Sequence, residues 1–254
     1  MKLLLKNDQY IETSVGFDLS IPLRAGANNV NAWYVKPVKI EPVINSEFIG
    51  DVNQGGAVNF RDIYLNPHGN GTHTECVGHI SKEDFTINQC LKEFHFLAKL
   101  ITVEPESIFN PDYKQKDLII TKAILQRQIK NWGEESALII RTIPNSDEKL
   151  NHQYSSSNPP YFTKEAIEFI NDLGVQHLMV DLPSVDREVD NGQLIAHKTF
   201  WNYPKNPLKS KTISELLYVP DFVVDNTYFV QIQIMSIESD ASPSKIMAHE
   251  IFQR

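Results

Sequence analysis

Residues 66–79 have the sequence Asn-Pro-His-Gly-Asn-Gly-Thr-His-Thr-Glu-Cys-Val-Gly-His. This segment holds three of the eight histidines of the chain, together with one carboxylate and one thiol. Imidazole and carboxylate groups are ligands that divalent ions such as Zn²⁺, Mn²⁺ and Fe²⁺ accept. The glycines in the segment allow backbone conformations that turn neighbouring side chains toward one point. The segment therefore predicts the first half of a metal site.

The spacing within this segment favours ligands on a strand. His73 and Glu75 are two residues apart, and in an extended strand such residues point to the same face. His79 follows the turn at residues 76–78 and can return to the same pocket. The His-Glu-x-x-His spacing of helical zinc proteases is absent. The alternative is a solvated, inert loop that happens to be rich in histidine.

The overall composition excludes several classes of protein. The chain has 254 residues, of which 41% are hydrophobic and 22% charged, as in ordinary soluble proteins of one large or two small domains. The formal net charge of −8 argues against binding to nucleic acid or to an anionic membrane. No segment approaches the roughly 20 apolar residues that span a bilayer. We expect no nucleic-acid or membrane partner.

The cellular location follows from the cysteines and the first residues. Cys76 and Cys90 are the only two cysteines, and we expect them to be free thiols in a reducing compartment. The first apolar run, at residues 3–5, is too short for a signal peptide. A cytoplasmic protein is therefore expected.

Hydrophobic patterns and capping residues predict interleaved strands and helices. Strands are predicted at 17–24, within 32–50, and at 58–65, 94–103, 136–142, 175–181 and 228–235. Helices are predicted at 121–131, capped by Thr121 and ended by Gly133, and at 163–173, capped by Thr163 and followed by Gly174. A long polar loop is expected at 144–160. Because strands outnumber helices, the predicted class is mixed α/β.

Several segments together resemble one known family. The sequence Gly-Thr-His-Thr-Glu at 71–75, followed by His79, resembles the signature of the cyclase family of metal-dependent hydrolases. This family includes isatin hydrolase and bacterial kynurenine formamidase, an arylformamidase of tryptophan catabolism. Its signature is His-x-Gly-Thr-His-x-Asp, with another His four residues after the Asp. Further segments resemble the family in the same order along the chain, at 18–20, 181–186, 196–197, 213–217 and 240–244.

This resemblance implies a fold, a cofactor and a set of site residues. The implied fold is a swivelling β/β/α-type mixed sheet in one domain, residues 1–254, within a homodimer or higher homo-oligomer. The implied cofactor is one or two divalent ions per chain, Zn²⁺ in the first place and Mn²⁺ as the alternative. Carried over by position, His73 and Glu75 are metal ligands, His197 and Glu215 are ligands of a second ion, and His79 is the general base or acid.

The chain departs from the family pattern at three places. The first family histidine falls on Gly69, so that His68 is a ligand only if the loop accommodates one extra residue. Glu75 replaces an Asp, which lengthens the carboxylate by one CH₂. The segment from His197 to Glu215 is longer than usual and contains an insertion rich in Lys and Pro.

Residues near these motifs are expected to have structural roles. Asp181 and Asp186 are expected to be turn and cap residues rather than catalytic groups. His177 is expected to be packed or exposed rather than a ligand. Trp201 and Tyr203, which closely follow His197, are expected at the surface or at the edge of a pocket.

The expected activity is arylformamidase-like hydrolysis of a small amide, lactam or ester. A bound ion would polarise the carbonyl and lower the pKa of a water molecule to about 7, while His79 exchanges protons. The Gly-x-Ser-x-Gly signature of a serine nucleophile is absent. Two other functions would use the same residues: a non-catalytic metal or small-molecule binding protein, and a cyclase or dehydratase. Metal content and product analysis distinguish the three.

Overall fold

The computed structural model describes residues 1–254, and a closed barrel of seven strands lies at its centre. The strands are β1 Lys2–Leu4, β2 Gln9–Glu12, β3 Phe17–Asp18, β4 Lys39–Pro42, β5 Arg61–Tyr64, β6 His73–Glu75, β7 His95–Val103, β8 Glu106–Asn110, β9 Gln115–Ile120, β10 Ala137–Thr142, β11 Tyr161–Phe162, β12 His177–Val180, β13 Thr212–Glu215, β14 Thr227–Ile234, β15 Ala241–His249 and β16 Phe252–Gln253. The helices are α1 Pro67–Asn70, α2 Ile87–Cys90, α3 Lys122–Gln128, α4 Lys164–Asp172 and α5 Ile195–Phe200. None of these helices is both long and apolar enough to cross a bilayer.

The barrel combines parallel and antiparallel pairing. Its strand order is β14-β7-β10-β12-β13-β6-β15, and it closes where β14 pairs with β15. Strand β3 is an eighth strand, which pairs with β15 but is not part of the closed barrel. Strands β7, β10, β12 and β13 run parallel, whereas β6, β14 and β15 pair with their neighbours antiparallel. The mixed α/β class predicted from the sequence is confirmed, with the sheet closed on itself.

The hydrophobic core has one part on each face of this sheet. Leu138 and Ile140 of β10 face the side covered by helices α3 to α5, which contribute Ile124 and Ile167. Ile139, between them in sequence, belongs to a second apolar cluster on the opposite face. All six residues of β10 are buried, as expected for a strand covered on both faces. Helices α3 to α5 therefore lie on one side of the barrel, whereas α2 packs against the cluster on the opposite face. The candidate metal ligands described below share the side of α3 to α5.

The capping residues correctly predicted where both helices begin, although one helix is shorter than predicted. The Thr163 side chain accepts a hydrogen bond from the Ala166 amide at the start of α4, and Gly174 follows its end with φ of 81°. Thr121 caps α3 in the same way. The prediction that this helix reaches residue 131 is wrong, because Ile129 takes φ −89° and ψ 86° with its side chain in the core.

The predicted strands differ in how completely they form. The segments 94–103, 136–142, 175–181 and 228–235 correspond to the barrel strands β7, β10, β12 and β14. Of the segments 32–50 and 58–65, only the short strands β4 and β5 form, and they pair as a two-stranded ribbon apart from the barrel. The barrel strands bury apolar side chains, and these side chains give the hydrophobic pattern by which strands are predicted.

Candidate metal centre

Strands β6 and β13 bring together three of the predicted ligands. His73 and Glu75 lie on one face of β6, and both side chains are buried. In the antiparallel pairing of the two strands, Glu215 lies directly opposite His73. Directly opposed residues share a face, and Nε2 of His73 is 3.4 Å from Oε2 of Glu215.

The short helix α1 brings His68 to the same place. The Asn66 side chain caps this helix by accepting a hydrogen bond from the Gly69 amide. A helical turn advances about 1.5 Å per residue, whereas a strand advances about 3.3 Å. The helical turn therefore accommodates the one residue by which His68 is further from His73 than in the family signature. Nδ1 of His68 reaches 3.1 Å from Oε2 of Glu75. A Cβ at position 69 would lie only 2.8 Å from the Ala32 carbonyl oxygen, so no histidine fits there without rearrangement.

Helix α5 supplies His197, and Asp186 orients it. The Asp186 carboxylate accepts hydrogen bonds from the backbone amides of Ala196 and His197, so it caps α5 rather than the turn around Pro183, where the sequence suggested a structural role. It also lies 2.6 Å from Nδ1 of the His197 ring. The other ring nitrogen, Nε2, is 3.1 Å from Oε1 of Glu75 and 3.8 Å from Oε1 of Glu215. Asp186 thus both caps the helix and determines which ring nitrogen faces the site.

His79 lies at the open side of the cluster, next to Asp240. Its Nδ1 is 3.2 Å from Oδ2 of Asp240, and His68 Nε2 is 2.8 Å from the same oxygen. Its Nε2 is 3.8 Å from Oε2 of Glu75. The His79 side chain is 31% exposed, whereas that of His73 is fully buried. His79 is therefore placed to meet a molecule that enters from solvent.

Asp240 was not among the site residues expected from the sequence. Asp240 begins one of the segments that resemble the family, and the strand that follows it, β15, pairs with β6 so that Ala241 is opposite Glu75. The resemblance was therefore the available signal. Nothing local identified the carboxylate as a partner of His68 and His79.

The electrostatics of the cluster favour added positive charge. Burial alone would lower the pKa of His68, but hydrogen bonding to Asp240 and the carboxylate of Glu75 raise it to about 10. Burial likewise opposes charge on His197, yet the carboxylates beside it raise its pKa well above the usual value. Burial would raise the pKa of Glu75, but the charge of His79 and the hydrogen bond with His197 hold it well below the ordinary range.

The donor set fits a divalent cation. The His73 Nδ1–H donates to the Gly71 carbonyl oxygen at 3.0 Å, so its Nε2 presents a lone pair, and that buried atom has no hydrogen-bond partner. Oε2 of Glu75 is also buried and unpartnered, since His68 approaches it without the alignment of a hydrogen bond. Leaving such buried groups unsatisfied costs about 1–3 kcal/mol each.

Both ring nitrogens of His68 and of His197 face carboxylates, although a neutral imidazole has one N–H. The cluster therefore requires additional protons or a metal ion. Three sets of residues each offer ligand atoms within 4.8 Å of one another: His68, His73 and Glu75; Glu75, His79 and His197; His68, His79 and Asp240.

A cavity of about 450 Å³ opens onto this cluster. His68, His79, His197 and Glu215 lie on its wall together with Trp33. Its size is in the range that holds a small molecule rather than a polymer.

Other residues singled out in the sequence lie apart from the cluster. His177 is packed as expected, stacked on Phe96 with ring centroids 4.2 Å apart. Asp181 is buried and accepts hydrogen bonds from Thr142 and Lys149, which joins two loops rather than forming a turn.

Trp201 corrects an expectation. It is fully buried instead of at the surface. Its ring packs in the hydrophobic core beside α5, and its Nε1–H donates a hydrogen bond to the Lys211 carbonyl oxygen. Tyr203 is partly buried, and its hydroxyl accepts a hydrogen bond from the Lys82 amide.

Comparisons with known proteins agree with this architecture. A protein from Bacillus stearothermophilus, described as a predicted metal-dependent hydrolase, is 16% identical with a TM-score of 0.62, and the match covers 92% of this chain and 98% of that protein. Isatin hydrolase A from Labrenzia aggregata is 15% identical with a TM-score of 0.65, covering 94% of both chains. Isatin hydrolase A from Ralstonia solanacearum is 17% identical with a TM-score of 0.65, covering 92% and 91%.

At these identities the likeness establishes a shared fold. No protein with a curated description matches the sequence. Residues 17–187 match the family model described as putative cyclase. That match spans more than half of the chain and includes His68, His73, Glu75 and His79, and the protein therefore belongs to the cyclase family.

Proposed function

We propose that this protein is a metal-dependent hydrolase of a small amide, lactam or ester, with arylformamidase-like chemistry. The observation that carries the proposal is the buried, unpartnered Nε2 of His73, which lies beside the carboxylates of Glu75 and Glu215. A lone pair and two carboxylates in a buried pocket are suited to hold a divalent cation. The adjoining cavity gives a small substrate access to them.

The ligands proposed from the sequence retain their roles. His68, His73 and Glu75 would hold one ion, and His197 and Glu215 would hold a second one, either Zn²⁺ or Mn²⁺. When bound, such an ion would polarise the substrate carbonyl and lower the pKa of a water molecule to about 7. The Gly71 carbonyl and Asp186 support this assignment, because hydrogen bonds to the far nitrogen of a ligating histidine orient the ring.

His79 is proposed as the group that moves protons. Its Nδ1 is 3.2 Å from the Asp240 carboxylate, an acceptor that holds the proton on Nδ1 and leaves Nε2 to accept a proton. Its side chain borders the cavity and is 31% exposed. The same nitrogen would take a proton from water and return it to the leaving nitrogen or oxygen.

The proposed substrate class is a small aromatic carbonyl compound. Trp33 offers the cavity an aromatic side chain, and a cavity of about 450 Å³ suits a molecule of one or two rings. The isatin hydrolases with this fold are named for such a compound. N-formylkynurenine and isatin are therefore the first substrates to test.

A homo-oligomer is also proposed, on the basis of the ribbon formed by β4 and β5. Phe60, Ile63 and Tyr64 in and beside this ribbon are 58%, 61% and 56% exposed. Clustered exposed apolar side chains are typical of protein interfaces. Sedimentation velocity on the wild type and on a Phe60→Ser/Ile63→Ser variant tests this, and a monomeric wild type would contradict it.

The test of the proposed function has two steps. Elemental analysis of protein purified without chelator should find one or two divalent ions per chain. The loaded protein should then hydrolyse N-formylkynurenine, isatin or a member of a lactam panel. Absence of Zn, Mn, Fe and Co, with no uptake on soaking, would refute the metal site. Metal without turnover would favour a binding protein, and a dehydrated product would favour a dehydratase.

A further inference from the structure

A second and larger cleft, of about 710 Å³, lies apart from the metal centre. It is bounded by α4, by the end of α5 and by the segment 199–211. No side chain of the metal centre lines it. Most of its lining residues belong to the segment 198–211, within the Lys- and Pro-rich stretch between His197 and Glu215.

The charge of this cleft is opposite to that of the whole chain. Four lysines line it, Lys164, Lys198, Lys205 and Lys211, against two carboxylates, Glu168 and Asp172. Lys164 forms an ion pair with Glu168 at 3.0 Å. The other three lysines have no carboxylate within 4.0 Å. A protein of net charge −8 therefore carries a local positive excess here, without protein groups that neutralise it.

Lys211 is the most unusual of these lysines, because it is only 4% exposed. Its Nζ donates one hydrogen bond, to Oδ1 of Asn171 at 2.7 Å, and lies 4.7 Å from the Phe200 ring centroid. An ammonium group has three donors, so two of them lack a protein acceptor. Burial lowers the pKa of Lys211 to about 8, which still leaves it charged at neutral pH. A buried charge without a counter-ion is costly in free energy.

We propose that this cleft binds phosphate or a small phosphate monoester, with Lys211 at its base and Lys198 and Lys205 on its walls. Lysine is a point charge that suits a phosphate, whereas a planar carboxylate is matched better by the fork of arginine. Ser210 and Asn202 also line the cleft and offer further polar groups. The site is independent of the metal centre, so the two proposals can fail separately.

Thermal unfolding of the metal-loaded protein tests the proposal. Sodium phosphate should raise the midpoint temperature by about 3–5 °C at ten times the dissociation constant, relative to sodium chloride of equal ionic strength. Lys211→Met should abolish this rise. In chloride alone that variant should be at least as stable as the wild type, because an unpaired buried charge has been removed. Lys209→Met, a lysine outside the cleft lining, should keep the full phosphate effect.

Glycerol 3-phosphate is the second probe. A larger shift with this monoester than with phosphate identifies an organic ligand, and an equal shift identifies the free ion. An equal phosphate shift in the wild type and in Lys211→Met would overturn the proposal, as would the absence of a shift at about 50 mM phosphate. If Lys211→Met does not fold, the Lys198→Gln/Lys205→Gln variant decides, and a full phosphate shift in it would refute the site.

Discussion

Two buried polar clusters of this protein differ in how completely their hydrogen bonds are satisfied. Asp117 accepts hydrogen bonds from the side chains of Asn110, Asn158, Tyr161 and Arg187. The Arg187 guanidinium contributes two of these bonds, from Nε at 2.9 Å and from Nη2 at 3.1 Å. The hydrogen bonds of the Asp117 cluster are therefore satisfied by groups of the protein itself.

His73 and Glu75 of the candidate metal centre are as deeply buried as Asp117, but their hydrogen bonds are incomplete. Nε2 of His73 and Oε2 of Glu75 lack hydrogen-bond partners, although both atoms are inaccessible to solvent. The two clusters are neighbours, since Asp186 orients His197 and the next residue, Arg187, binds Asp117. A complete set of partners indicates a structural role, whereas an incomplete set indicates a group that binds something else.

The strongest test of this contrast is His73→Ala. It removes the unpartnered nitrogen, and we expect metal content to fall to near zero. Turnover should fall by more than about 100-fold, because loss of a residue that only orients a ligand already costs up to about 100-fold. Elemental analysis and a turnover assay measure the two effects. His177→Ala is the matched control, because His177 is equally buried but hydrogen-bonded to Thr212. A His73→Ala protein that keeps its ion would remove His73 from the ligand set.

His79→Ala separates proton transfer from metal binding. We expect the ion to remain and turnover to fall by about 10²–10⁴-fold, the usual contribution of a general acid or base. Steady-state kinetics on an identified substrate, with metal content measured in parallel, provide the test. His95→Ala, on an exposed position of β7, serves as the control. Near-normal turnover in His79→Ala would exclude the assigned role.

Asp117→Ala, in the Asp117 cluster, should have the opposite effect: a loss of stability without a loss of metal. It leaves the buried Arg187 guanidinium without its counter-charge, so the free energy of unfolding should fall by about 3–5 kcal/mol. Metal content should not change. Denaturant unfolding measures the loss, and Asp112→Ala, an exposed neighbour, should change it by less than about 0.5 kcal/mol. Loss of the ion with unchanged stability would reverse our interpretation of the two clusters.

Asp186→Asn should have the smallest effect, at the boundary between the clusters. The amide no longer stabilises the required tautomer of His197, and metal affinity should weaken by about 10–100-fold. Competition with a chromophoric chelator measures the affinity. Asp190→Asn is the control, since Asp190 accepts hydrogen bonds only from backbone amides of its own loop, at Gly192 and Leu194. Equal affinities in the two variants would show that Asp186 only caps helix α5.

Local signals account for the elements that could be predicted. Thr121 and Thr163 cap their helices through their own side chains, and β10 is a continuous apolar run. Helix α5 escaped prediction because its N-cap residue, Leu194, provides no side-chain cap, and the carboxylate that binds its first turn is Asp186. Strand β15 also escaped prediction, because it contains Pro243 and its placement depends on pairing with β6 and β14.

The sequence by itself determined that His73 and Glu75 share a face, because the two-residue period of a strand is a local property of the backbone. Only the tertiary structure placed Glu215 opposite His73, Asp186 behind His197 and the carboxylate of Asp240 between two histidines. These contacts depend on barrel closure and strand register, which are set by packing between segments far apart in the chain. No local pattern of residues records such a register.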